Sequence, residues 1–139
     1  MDFSRYVPEG FGTADIVIAS DGTLRVVDYK FGERVRVSED SPQLKLYALG
    51  ALILFDGIYD IETVAMTVYQ PRCNNIRTCT LSKEELYEWA EKTVKPAAER
   101  AYAGEGEYLS GSWCMFCKAK KDCEAYTEQK IKLARHDFQ

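Results

Sequence analysis

The chain has 139 residues, 46% hydrophobic and 29% charged, the composition of one soluble globular domain; a disordered, collagen-like or disulfide-stapled polypeptide is excluded. Eighteen Lys and Arg stand against 22 Asp and Glu, a net charge of −4, which excludes a uniformly basic nucleic-acid coat but not a local basic track beside a carboxylate site. The longest apolar run, residues 48–55, is far below the roughly 20 residues of a membrane span, and the first five residues lack the pattern of a secretory signal, so no membrane association and a cytoplasmic location are expected.

In chain order, the first ten residues read as an entry segment. Residues 13–19 and 24–31 are rich in β-branched and aromatic side chains and flank Asp21-Gly22, a strong hairpin signal, so they are the first two strands. A polar loop over 32–41 leads to a helix over 42–55, with Ser41 as N-cap and Pro42 in its first turn; the helix is apolar on nearly every face and should be largely buried. A third strand is expected over 62–70, a turn at Asn74-Asn75 and a fourth strand over 76–81. Ser82 and Glu85 form a capping box opening a helix to residue 102, bent at Pro96. After Gly104-Glu105-Gly106 come a loop, a cysteine cluster and a final helix over 118–135.

Hairpin register carries the chemistry. With Asp21-Gly22 as a two-residue loop, Ser20 pairs with Thr23 and Asp15 comes to face Asp28. Directly opposed carboxylates are destabilising unless a cation sits between them. Asp28 and Lys30 share a face, and the Tyr29 backbone carbonyl lies beside them. Val17, Ala19, Leu24 and Val26 continue the Asp face, while Ile16, Ile18 and Val27 line the other, so both faces should be buried and Asp15, Asp28 and the Tyr29 carbonyl should hold Mg²⁺ or Mn²⁺. The alternative is a plain edge ion pair of Asp28 with Lys30, with Asp15 capping the strand. Gln43 and Tyr47, four apart, share a face of the following helix and can orient a water or hold a phosphate.

Gly12-Thr13-Ala14-Asp15, Asp28-Tyr29-Lys30 and Gln43-Leu44-Lys45-Leu46-Tyr47 together resemble the motif succession of the PD-(D/E)xK nuclease superfamily, in its RecB-like and CRISPR-associated exonuclease branch. An uncharacterised phage and prophage subfamily is especially similar, with counterparts of Tyr69-Gln70-Pro71-Arg72 and Lys95-Pro96-Ala97-Ala98. The resemblance implies an α/β restriction-endonuclease-like core, a central mixed sheet flanked by helices, in one domain with a catalytic core over 12–104 and a cysteine-containing segment over 105–139. It implies that Asp15 and Asp28 bind the metal, that Lys30 positions water or offsets developing charge, and that Gln43 and Tyr47 assist. DNA is the implied partner, with phage or bacterial recombination or repair proteins beside it. A non-catalytic DNA- or protein-binding module on the same fold is the competing expectation.

Cys114, Cys117 and Cys123 form Cys-x2-Cys-x5-Cys, a spacing suited to Zn²⁺ or an iron–sulfur group with a fourth ligand. In the nucleases that the chain resembles, this triplet joins a cysteine far upstream to hold a 4Fe-4S cluster. Here no cysteine precedes Cys73, and His136 is a further candidate zinc ligand. If Asn74-Asn75 is a two-residue turn, Cys79 lies opposite Gln70 and a disulfide to Cys73 is disfavoured. No helix offering a His or Glu precedes the Gly-x-x-Asp strand, so the chain is expected to be the C-terminal catalytic portion of a longer protein.

Overall fold

A computed structural model describes residues 1–137, with side chains described through Arg135, and divides the chain into two compact units, Met1–Ala103 and Gly104–Gln139. The first holds a four-stranded mixed sheet flanked by helices, an α/β core as expected. Its strands are β1 (Ile16–Ser20), β2 (Gly22–Tyr29), β3 (Ile61–Gln70) and β4 (Asn75–Ser82), lying side by side in that order. Helix α1 (Pro42–Phe55) carries the chain from β2 to β3, which run parallel, whereas β1 and β4 are antiparallel to their neighbours.

The hairpin follows its sequence signal. Ser20 pairs with Thr23 and Ile16 with Val27, and Gly22 takes φ 82°, a backbone conformation that costs glycine little. The Asp21 carboxylate accepts the Asp60 N–H at 3.3 Å, and the Gly22 N–H donates to the Asp60 carbonyl at 2.6 Å, tying the turn to the start of β3. Ser41 caps α1, its hydroxyl accepting the Leu44 N–H at 3.3 Å. Leu44, Leu49 and Leu52 of α1 pack against Leu24 and Val26 of β2 and Val64, Met66 and Val68 of β3, all essentially buried. Each such side chain contributes about 1.5–3 kcal/mol relative to exposure.

Three expectations need correction. The opposite face of the hairpin is open: Ile16 and Ile18 are half exposed, because β1 is an edge strand and the hairpin is buried on one face only. Helix α1 is largely buried, as expected, with residues 44–52 buried or half-buried and Ile53 and Leu54 facing solvent. The first ten residues are part of the core, with Phe3 and Tyr6 buried and Asp2 bridged to Phe11, a fold-back built on turns that leave no period-2 or period-3.6 trace in the sequence. Finally, the link from β3 to β4 is four residues long. Pro71 has no N–H for the ladder, a single 3-10 turn occupies Pro71–Cys73, and Asn74 adopts φ 50°. Gln70 therefore pairs with Asn75, and Cys79 lies opposite Met66 instead of Gln70. All five cysteines are free.

The helix expected after Ser82 is interrupted. Its start is a full capping box: the Ser82 hydroxyl accepts the Glu85 N–H at 3.1 Å and the Glu85 carboxylate accepts the Ser82 N–H at 2.8 Å. From α2 (Lys83–Trp89) the chain passes through a wider π turn, Ala90–Val94, into α3 (Lys95–Tyr102). Pro96 has no N–H and would crowd the carbonyl of residue 92, and the wide turn just before it relieves both problems. Replacing Ser82 by Ala should lower stability by about 1 kcal/mol, read as a shift of the urea midpoint without a change in slope.

The second unit contains a short 3-10 segment, Ser112–Phe116, and helix α4 (Glu124–Asp137), which starts six residues later than expected. Among the described residues no helix is long and apolar enough to cross a membrane.

Candidate active site

Asp28 is the last inward-facing residue of β2 and is 6% exposed. Two residues on, past the strand end, Lys30 places its Nζ 3.0 Å from Asp28 Oδ2 and donates to Gln43 Oε1 at 3.2 Å. Gln43 in turn donates through Nε2 to the Tyr47 hydroxyl oxygen at 3.0 Å. With its oxygen occupied as an acceptor, the Tyr47 O–H is left to donate outward. The ring of Tyr47 lies against Gly12, where an added Cβ would sit 2.6 Å from its Cε1; this close approach is the physical reason for a glycine three residues before Asp15.

Asp15 lies one position before β1, where the register would place it opposite Asp28. Its Oδ2 accepts the Tyr29 N–H at 2.7 Å, so a side-chain oxygen takes the donor that the β1 backbone would otherwise satisfy, and the ladder ends at Ile16. The expected strand start at residue 13 is corrected accordingly. The Lys30 N–H donates to the Tyr69 carbonyl at 2.9 Å, fixing the end of β2 against β3. The structure thus brings Asp28, Lys30, Gln43 and Tyr47 into one chain of contacts and fastens Asp15 to the backbone between Asp28 and Lys30.

The donor set is hard oxygen. Asp28 Oδ1 has no hydrogen-bond partner among the described residues, and no buried side-chain oxygen there is left unpaired, so Oδ1 is open to an incoming ligand. Asp15 retains one carboxylate oxygen as well. Two carboxylates are as many as Mg²⁺ commonly takes from a protein, the rest of its shell being water and substrate oxygens. Among the described residues no three His, Cys, Asp or Glu side chains gather as a metal-binding group.

Gln70 and Asn75 went unrecognised as site residues. Gln70 is 1% exposed, and its Nε2 donates to the carbonyls of Gly32 at 2.6 Å and Val35 at 2.9 Å. Its Oε1 accepts the Val37 N–H at 3.2 Å and Asn75 Nδ2 at 2.9 Å. Asn75, 2% exposed, also donates to the Val37 carbonyl at 3.0 Å. These two amides hold the loop after Lys30 in place. The available signal was a polar residue ending a run of alternating inward apolar positions.

In the second unit, Cys117 and Cys123 line one open pocket of about 640 Å³ with Asp122, Glu124 and Glu128. Cys114 does not line it: it is buried, and its Sγ accepts the Gly111 N–H at 3.4 Å. His136 lies outside the described side chains.

Fold and site together define a mixed α/β protein with a carboxylate–ammonium pair at the end of a central parallel strand. The chain matches the family described as a protein of unknown function (DUF2800) over residues 1–139, and it belongs to that family. No solved structure matches it.

Proposed function

We propose that this chain is a metal-dependent deoxyribonuclease, acting as an exonuclease in phage or bacterial DNA processing. The observation that carries the reading is the buried Asp28 carboxylate, 3.0 Å from Lys30 and with its second oxygen open, in the arrangement implied by the resemblance to PD-(D/E)xK nucleases. Asp15 and Asp28 would hold Mg²⁺ or Mn²⁺, with the Tyr29 carbonyl adjacent. When bound, such an ion polarises a phosphoryl oxygen and lowers the pKa of a water. Lys30 offsets the charge that develops on the phosphoryl oxygens and is kept on station by Asp28 and Gln43. Gln43 sets the direction of the Tyr47 hydroxyl, whose proton points to a phosphate oxygen or to water.

A second reading, a non-catalytic DNA- or protein-binding module on the same fold, is favoured by Asp15, which is exposed and already takes the Tyr29 N–H as a backbone cap. Linear single- and double-stranded DNA incubated with the protein in Mn²⁺, Mg²⁺ or EDTA separates the two. Cleavage in either metal, absent in EDTA, is expected; DNA retention with no cleavage in any condition identifies the module.

A further inference from the structure

Next to Lys30 and on the same side of the sheet lies an open pocket of about 430 Å³, between the loop over residues 32–37 and the end of β3. Its wall includes Lys30, Arg34, Val35, Gln70 and Arg72. The Phe31 ring is not part of that wall but is 63% exposed, and the guanidinium of Arg72, which does line the pocket, lies 4.7 Å over its centroid. Arg72 is itself anchored by Glu33 at 2.7 Å, so one face of Phe31 is capped by a fixed guanidinium and the ring is held outside the core.

Charge is concentrated here against the trend of the chain. Residues 30–37 carry Lys30, Arg34 and Arg36 against Glu33 alone, in a protein whose net charge is −4. Lys30 is paired with Asp28 and Arg72 with Glu33, but Arg34 makes no ion pair among the described residues. Arg36 donates to the Cys73 carbonyl at 3.1 Å and makes no ion pair among the described residues. The backbone of the loop bearing these groups is held by the buried Gln70 and Asn75 amides through the carbonyls of Gly32, Val35 and Val37, so its course is set before a ligand arrives.

We propose that this ledge is a nucleotide subsite: Phe31 stacks one unpaired base, and Arg34 and Arg36 take the phosphates that flank it, on a strand leading to Lys30. The proposal rests on the nuclease reading for the direction of the strand, but its ligand follows from the ledge itself. An exposed ring on the same short loop as guanidinium groups free of carboxylate partners suits single-stranded DNA, because a base inside a duplex cannot offer its face.

Binding without catalysis tests it. In EDTA, fluorescence anisotropy with a labelled 20-nucleotide thymidine strand and with a 20-base-pair duplex should show the strand bound at least tenfold more tightly. Phe31→Ala should weaken strand binding about tenfold and leave duplex binding unchanged. Arg34→Ala should reduce the slope of log affinity against log salt by about 0.7 for the strand, whereas Arg25→Ala, a cation on the opposite sheet face, should not. Phe31 and Arg34 are exposed, so thermal melts of both variants should match the wild type. Equal affinity for duplex and strand, or a Phe31→Ala variant that binds the strand as well as the wild type, overturns the subsite. A protein that binds the strand through Phe31 yet never cleaves in Mn²⁺ keeps the subsite and loses the nuclease; one that cleaves with indifference to Phe31 does the reverse.

Discussion

Lys30→Ala should reduce metal-dependent DNA cleavage by about 10²–10³-fold, with most of the loss in the turnover rate and little in DNA affinity. Among the described residues the Lys30 ammonium alone is in contact with both Asp28 and Gln43, at 3.0 and 3.2 Å, and in the proposed reaction it offsets the negative charge that accumulates on the phosphoryl group. Removing it also leaves the Asp28 carboxylate, 6% exposed, without its partner, a change that typically costs 3–5 kcal/mol in stability. The two consequences separate in the double variant Asp28→Asn with Lys30→Ala. There the buried charge is gone, so the melting temperature should recover toward the wild type while cleavage stays lost. Lys30→Ala with rates within threefold of the wild type removes Lys30 from the chemistry.

The second large effect is at Gln70. Gln70→Leu keeps the volume and discards four hydrogen bonds, to Gly32, Val35, Val37 and Asn75. At about 0.5–1.5 kcal/mol each, partly offset by the apolar gain of leucine, the net loss should be about 2–4 kcal/mol. In a unit near 100 residues this lowers the melting temperature by about 10 °C or more. Circular dichroism melts measure it, and an unchanged melting temperature shows that the loop stands without this amide. DNA cleavage measured well below the melt should also fall, because the loop leads directly from Lys30 to α1.

The parts of the fold legible in the sequence are those with local causes. Asp21-Gly22 fixed the hairpin register, Ser41 and Pro42 the start of α1, and Ser82 with Glu85 the start of α2. From that register the meeting of Asp28 and Lys30 follows by the two-residue period of a strand, and the Gln43–Tyr47 contact by the four-residue spacing of a helix. What escaped depends on partners distant in sequence. Nothing local distinguishes Phe3 and Tyr6 as core residues, because their burial is created by the fold-back onto α1. The openness of the Ile16 and Ile18 face reflects the position of β1 at the sheet edge, which apolar composition does not encode. Gln70 is legible only once its carbonyl partners 35 and 38 residues away are known.

The span of each contact along the chain also orders how the site comes into being. The Asp15 bond to the Tyr29 amide closes 14 residues and the Lys30–Gln43 bond 13, whereas the Gln70 bond to Gly32 closes 38. Loop-closure entropy rises with span, and the long closure further requires the parallel pairing of β2 with β3. The hairpin and the first turn of α1 can therefore juxtapose the charged groups early in folding, while the loop beyond them is secured only when β3 docks.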